Sequence, residues 1–128
     1  MDDDGGPRVH ILIAEDEALA AMALQDVLER AGFRVTLSHD GQAALADAQA
    51  DPPDALLTDL KMPRLGGLGL IQRLRASRLD LPVVIMSGDP PADWAEQVVD
   101  DGLGRTVLLV KPVSPLEVVK AIQAVLAV

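Results

Sequence analysis

Four short apolar runs in the chain each end on polar side chains of the types that take part in phosphoryl transfer. Glu15 and Asp16 follow the first run, Asp59 the second, Ser87 the third and Lys111 the fourth. If the runs are parallel strands of one sheet, these side chains emerge at its carboxyl edge, where open α/β sheets bind their ligands. Three carboxylates, a hydroxyl and an ammonium at one edge predict a metal-assisted phosphoryl site.

The pattern between these runs predicts the elements that position the site. Apolar runs of strand length alternate with amphipathic stretches of helical length, and five such pairs can be counted. This alternation is typical of βαβ units and of a parallel sheet with helices on both faces. Right-handed crossovers favour a doubly wound α/β fold with strand order 2-1-3-4-5 and a switch point between strands 1 and 3. Glu15, Asp16 and Asp59 then face each other across that switch point.

Turn and cap residues set approximate bounds for these elements. The strands are expected at about 8–14, 33–37, 55–59, 83–87 and 107–111. Four helices are expected at about 17–31, 41–50, 68–76 and from 115 onward. Gly32 is the predicted stop of the first helix, and Ser114 the predicted N-cap of the last. A fifth helix is expected between the third and the last of these, where Pro90-Pro91 can open it, and we expect it to be short or irregular because 101–104 breaks it.

The apolar residues of two helices carry predictions about which side faces the core. In the first helix the expected core face contains Leu19, Ala23 and Val27. In the last helix the expected core stripe is Leu116, Val119, Ile122 and Leu126. Val118, Ala121 and Val125 widen the apolar face beyond what packing on a sheet requires. We therefore predict that Val118 and Val125 lie on a contact for self-association or target binding, and the open alternative is that both belong to the core.

Length and composition narrow the class of protein. The chain has 128 residues, of which 49% are apolar, and this fits one domain at 8–128 after a disordered acidic tail at 1–7. The formal charge of −9 and the aromatic content of 2% argue against nucleic-acid binding. No apolar stretch approaches the ~20 residues of a membrane span. The absence of cysteine suits a cytoplasmic location.

With these features the chain resembles the receiver domains of two-component response regulators, from about Arg8 to Val128. The matching motifs are the acidic pair at 15–16, the string 59–63 followed by Gly66-Gly67, Ser87-Gly88 and Lys111-Pro112. Each residue alone has a structural explanation, such as the helix cap that Asp16 could form. All four motifs in order, each at a strand end, favour the shared site.

The resemblance implies a role for each site residue. Asp59 takes a phosphoryl group from a phosphohistidine, and Lys111 and Ser87 contact phosphoryl oxygens. Mg²⁺ is the implied cofactor, held by Asp16, Asp59 and the Lys61 backbone carbonyl, with Glu15 acting directly or through water. The Lys111-Pro112 bond is expected to be cis.

The resemblance also implies partners. These are a histidine kinase or histidine phosphotransfer protein, a downstream protein target, and a candidate homodimer through helix 4, strand 5 and helix 5. The implied protein is not an enzyme beyond its own phosphorylation and dephosphorylation, and we expect a stand-alone domain without an output domain.

One position departs from the usual receiver pattern, and two others lie where the family varies. Leu108 stands three residues before the lysine, where receivers usually carry an aromatic side chain. Lys61 and Asp89 occupy variable positions beside the site, where they could pair across the cleft or leave Lys61 near the phosphoryl group. Two alternative functions therefore stay open, a phosphotransfer intermediate or phosphate sink, and an adaptor that works without phosphorylation.

Overall fold

Strands and helices alternate along the chain, in a computed structural model that describes residues 8–100, 102 and 105–127. The strands are β1 (His10–Ala14), β2 (Arg34–Ser38), β3 (Ala55–Asp59), β4 (Val83–Ser87) and β5 (Thr106–Val110). The helices are α1 (Ala18–Arg30), α2 (Gly41–Ala50), α3 (Gly67–Ser77), α4 (Trp94–Gln97) and α5 (Pro115–Ala127). The elements predicted from the sequence are confirmed, with small shifts at their ends. The predicted acidic tail at 1–7 lies outside the described residues.

All strands run parallel in one sheet of order β2-β1-β3-β4-β5. The β1–β3 pairing aligns Ala14 with Thr58, so the residues that follow both strands meet at the same edge. The β4–β5 pairing aligns Ser87 with Val110 and brings the ends of these two strands together. The predicted doubly wound fold with its switch point between β1 and β3 is confirmed.

The sheet carries an apolar layer on each face. Ile11 and Ile13 of β1 point into a cluster with residues of α1 and α5. Leu12, between them, points into a second cluster with residues of α2 and α3. Alternate strand residues thus bury opposite sides of the sheet, as expected where helices cover both faces. None of the helices in the described ranges has the length and apolar content that crossing a membrane requires.

Helix α1 faces the core with a different side from the one predicted. Its buried residues are Ala21, Leu24 and Leu28, whereas Leu19 is 83% exposed. Ala23 is also exposed. Val27 is half-buried and packs against the core, so the prediction is wrong for Leu19 and Ala23 only. Both sets have helical spacing, and Leu24 and Leu28, which are larger than Ala23 and Val27, decide which set is buried more deeply.

The end of α1 agrees with the sequence. Gly32 has φ +100°, a conformation that glycine adopts without steric cost. Its backbone N–H donates to the carbonyl of Glu29, and that of Phe33 donates to the carbonyl of Leu28. These two bonds form a Schellman motif, and Gly32 stops the helix as predicted.

Helix α5 begins as predicted, with a capping box. The Ser114 hydroxyl accepts from the Glu117 backbone N–H at 3.2 Å, and the Glu117 carboxylate accepts from the Ser114 backbone N–H at 2.9 Å. These reciprocal bonds satisfy donors that the first turn of a helix leaves without partners. They hold the pKa of Glu117 below its ordinary value.

The predicted contact surface on α5 is wrong. Val118 and Val125 are each 1% exposed and belong to the core, whereas Leu116, which was predicted in the core stripe, is 60% exposed. The predicted core residues Val119 and Ile122 are buried, and Leu126 is half-buried. The helix packs against both α1 and the sheet, so its buried face is wider than the stripe that a sheet alone would require.

Helix α4 is short, as the sequence predicts, but it ends at Gln97, before the predicted break at 101–104, of which the structure describes only Gly102. It spans Trp94–Gln97 and follows Pro90-Pro91 and a turn at 92–93. Val98 after it is buried, and Trp94 packs at the rim of the α2–α3 cluster. Leu108 of β5, at the position usually aromatic in receivers, is half-buried against the same cluster.

The burial of α5 predicts opposite outcomes for two similar substitutions. Val118→Glu should lower the free energy of unfolding by about 3 kcal/mol or more, because it places an unpaired carboxylate in the core. Leu116→Glu, the control on the exposed side of the same helix, should change it by less than about 0.5 kcal/mol. Urea denaturation measures both values. Equal losses would contradict the observed orientation of α5.

Candidate functional site

Three carboxylates converge at the switch point of the sheet. Glu15 and Asp16 follow β1 and Asp59 ends β3, and one oxygen of each lies within 4.8 Å of the others. Glu15 and Asp59 are 1% and 8% exposed, whereas Asp16 is exposed. The parallel pairing of β1 with β3 is what brings them together. The convergence predicted from the sequence is therefore present in the structure.

Lys111 reaches this acidic cluster from the end of β5. Its Nζ lies 2.6 Å from Asp59 Oδ2 and 3.6 Å from Glu15 Oε1. Its backbone N–H donates to the carbonyl of Ser87 at 2.9 Å, which joins the ends of β4 and β5. The buried Ser87 hydroxyl accepts from the Asp89 backbone N–H at 3.2 Å. The predicted cis peptide bond between Lys111 and Pro112 is confirmed.

Burial and charge shift the proton affinities of the cluster. Burial raises the pKa of Glu15, and the nearby Asp59 adds to the rise, against the Glu17 backbone N–H and Lys111. Burial alone would lower the pKa of Lys111, but its hydrogen bond to Asp59 and the two negative charges outweigh this, so its pKa lies above the ordinary value. Lys111 is therefore cationic at neutral pH and partly balances the carboxylates.

Close backbone contacts fix the position of Asp59. Its carbonyl accepts from the Thr58 hydroxyl at 2.8 Å, and its Oδ1 accepts from the Lys61 N–H at 3.4 Å. Gly67, at the start of α3, packs so tightly that a Cβ there would overlap the Asp59 carbonyl. The sequence shows a glycine at position 67, but it does not show the close contact with Asp59 that requires glycine there.

The donor set fits a hard divalent cation. Three carboxylates and one ammonium leave a formal charge of −2. Carboxylate and backbone carbonyl oxygens are the ligands that such cations prefer, and the Lys61 backbone lies beside Asp59. Glu15, Asp16 and Asp59 could therefore hold a metal ion.

The ion pairs found near the site differ from those that the sequence predicts. Lys61 is exposed, and no ion pair joins it to Asp89 among the described residues. The structure adds one pair that the sequence analysis missed, because Arg64 contacts Asp40 beside the loop that follows β3. No sequence signal marks this pair, since its members lie on different loops.

Fold and site together define a doubly wound α/β domain of the flavodoxin-like type with a carboxylate cluster at its switch point. The family model for the response regulator receiver domain matches residues 11–123. The chain belongs to this family. The resemblance noted in the sequence is thus confirmed, and with it a place among the proteins of two-component signalling.

Known relatives agree with this membership. The chain is 32% identical over 116 residues to the alkaline phosphatase synthesis transcriptional regulatory protein PhoP of Bacillus subtilis, covering 91% of this chain and 48% of PhoP. It is 34% identical over 118 residues to the response regulator MprA of Mycobacterium tuberculosis, covering 92% of this chain and 50% of MprA. The chain therefore spans about half the length of the curated relatives it matches.

Solved structures show the same fold. The chemotaxis protein CheY4 of Vibrio cholerae is 25% identical with a TM-score of 0.82, and the match covers 93% of this chain and 99% of CheY4. A response regulator receiver protein of Sinorhizobium medicae is 26% identical with a TM-score of 0.82, covering 94% and 95% of the two chains. The architecture is thus that of known receiver proteins.

The acidic cluster predicts that a divalent cation stabilises the protein. Mg²⁺ at a few times its Kd should raise the free energy of unfolding by about 1 kcal/mol, because it binds the folded state and relieves carboxylate repulsion. Asp16→Ala should abolish this gain. Glu17→Ala, which removes the neighbouring carboxylate outside the cluster, should keep it. Thermal denaturation with and without Mg²⁺ measures the effect, and an unchanged gain in Asp16→Ala would place the metal elsewhere.

Proposed function

We propose that this receiver domain accepts a phosphoryl group on Asp59 from a phosphohistidine of a histidine kinase or histidine phosphotransfer protein. The observation that carries the proposal is the position of Asp59, a buried carboxylate that lies beside the acidic pair and 2.6 Å from the Lys111 ammonium. An Asp59 carboxylate oxygen forms the new bond to phosphorus as the bond from phosphorus to the imidazole nitrogen breaks. The imidazole leaves with the electron pair and takes up a proton.

The residues around Asp59 have distinct parts in this proposal. Lys111, now 2.6 Å from Asp59 Oδ2, would pair with a phosphoryl oxygen as a compact point charge. The Ser87 hydroxyl at the neighbouring strand end would donate to another oxygen. Glu15, Asp16, Asp59 and the Lys61 carbonyl would hold Mg²⁺, which supplies charge neutralisation at the phosphoryl oxygens when bound. Positioning and charge suffice, because phosphoryl transfer requires little covalent work from the protein.

The chemistry proposed for this chain is limited to its own carboxylate. It would catalyse its phosphorylation and dephosphorylation and pass the change to a protein target through an altered surface. We place this exchange in the cytoplasm, in keeping with a sequence without cysteine. The phosphate-sink alternative uses the same site and differs in returning the phosphoryl group to a histidine.

The surface beside the site supports docking of the phosphohistidine donor on α1. A groove of about 530 Å³ runs between α1 and the start of α5 and is apolar apart from Glu15, Glu17 and Lys111. On the same helix, outside the lining of the groove, Leu19 and Met22 are 83% and 59% exposed. They are three residues apart and share one face of the helix. We propose that an apolar surface of the donor protein covers them and brings its phosphohistidine to Asp59.

The phosphoacceptor is tested with a small phosphodonor. Incubation with acetyl phosphate and Mg²⁺ should add one phosphoryl group to the wild type and none to Asp59→Asn, which keeps the shape of the side chain and removes the nucleophile. Asp26→Asn, on the exposed side of α1, should label like the wild type. Intact-protein mass spectrometry measures the products. Labelling of Asp59→Asn would contradict the assignment, and an unlabelled wild type would favour the adaptor.

The donor surface is tested by comparing two phosphodonors. Leu19→Glu should slow transfer from a phosphorylated histidine phosphotransfer protein by about tenfold, because it places a charge in an apolar contact. Its labelling by acetyl phosphate should be unchanged. Leu79→Glu, an exposed leucine beyond α3, is the control and should leave both rates unchanged. Equal slowing with both donors would show damage to the site rather than to docking.

A further inference from the structure

An ion pair joins the two loops that flank the acidic cluster. Arg64 lies in the β3–α3 loop, and Asp40 lies between β2 and α2. Oδ2 of Asp40 accepts from Nε of Arg64 at 3.2 Å and from its Nη2 at 2.9 Å. The side chain of Asp40 is 11% exposed and that of Arg64 is 67% exposed. Asp40 is therefore largely buried, and the Arg64 side chain reaches it from the surface.

Asp40 is anchored independently of Arg64. Its Oδ1 accepts from the Ala43 backbone N–H at 2.8 Å and caps the first turn of α2. The Ala43 bond and then the Arg64 bonds hold the pKa of Asp40 below its ordinary value. One carboxylate thus serves two purposes, with one oxygen on its own helix and the other on the neighbouring loop.

Arg64 is held in an unusual backbone conformation. It has φ +69°, a conformation that L side chains rarely adopt and that glycine adopts readily. The next residue, Leu65, lies against Gly41 so closely that a Cβ at Gly41 would overlap the Leu65 carbonyl. An arginine at this backbone position is explained by its side-chain contact with Asp40, which a glycine could not make.

Both joined loops lead directly to the carboxylates of the site. The β3–α3 loop begins after Asp59, whose Oδ1 accepts from the Lys61 N–H, and it closes where the Gly67 N–H donates to the Leu60 carbonyl at 2.9 Å. On the other loop, Nδ1 of His39 lies 3.3 Å from the Glu15 carbonyl oxygen. Fixing the two loops to each other therefore fixes the two sides of the acidic cluster.

We propose that the Arg64–Asp40 ion pair is a positioning contact that holds the β3–α3 loop, and with it Asp59 and the Lys61 carbonyl, in the geometry that accepts the phosphoryl group. This rests on the proposed phosphoacceptor function. Neither residue touches the reacting atoms, so both act through the loop. A displacement of the reacting groups by about 1 Å can slow a reaction greatly. Loss of this ion pair, although it lies outside the site, should therefore have a measurable effect on the rate of phosphorylation.

Two single variants and their combination test the contact. Arg64→Gly removes the cation and relieves the positive φ, and Asp40→Asn keeps an oxygen for the α2 cap while removing the charge. Each should slow labelling by acetyl phosphate by about fivefold, the factor that corresponds to the upper end of the strength of an ion pair with a solvent-exposed member. The double variant should be no slower than either single variant, because both act through one contact. Arg64→Lys should restore part of the rate.

A second measurement is made without metal or phosphodonor. Hydrogen exchange at the amides of Lys61, Leu65 and Gly67 should accelerate about fivefold in Arg64→Gly, while the unfolding midpoint stays level or rises because strain is relieved. If the pair only stabilised the fold, its loss would lower the unfolding midpoint, and hydrogen exchange at the loop amides would change no more than exchange elsewhere in the chain. Arg34→Ala, which removes the exposed ion pair with Asp51 at the other end of β2, should change neither exchange nor labelling.

The outcomes separate the two proposals. Unchanged exchange and labelling in both single variants, or an additive double variant, would overturn the positioning role of Arg64. If Asp40→Asn does not fold, Arg64→Gly decides alone. A wild type that never labels would overturn the phosphoacceptor function, while the exchange measurement would still report on the contact between the loops.

Discussion

The charge balance at the carboxyl edge of the sheet is the constraint on which the other features depend. Glu15 and Asp59 are buried close to each other and to Asp16, and Lys111 at 2.6 Å from Asp59 provides one compensating charge. Buried carboxylates repel each other and lose hydration, and the raised pKa of Glu15 reflects this cost. A domain that keeps such a cluster must hold it rigidly and supply positive charge to it.

The surrounding structure both holds the acidic cluster in place and supplies positive charge to it. The β1–β3 pairing places the acids, and the bond from the Lys111 N–H to the Ser87 carbonyl places the lysine. Gly67 and Gly41 allow the β3–α3 loop to approach Asp59 on one side and α2 on the other. Arg64 and Asp40 then join that loop to the β2–α2 loop. Apolar layers on both faces of the sheet support this edge, and a divalent cation would supply the remaining charge.

The sequence predicted what depends on local pattern and missed what depends on orientation or on contacts between loops. Strand-end chemistry located Asp59, Ser87 and Lys111, because residues that end parallel strands share one edge. The prediction for the buried side of α5 was wrong at Val118, because helical spacing alone does not show how many other elements pack against a helix. The Arg64–Asp40 pair joins residues 24 apart in sequence on separate loops, and no periodic pattern reports such a contact.

The most direct test of this charge constraint is the pH dependence of stability without metal. Because the folded-state pKa of Glu15 is raised, the folded chain binds this proton more tightly than the unfolded chain does. The free energy of unfolding in EDTA should therefore fall as pH rises from about 4.5 through the folded-state pKa of Glu15. Denaturation across this range should show a smaller fall for Glu15→Gln. Parallel curves for the two proteins would contradict the account.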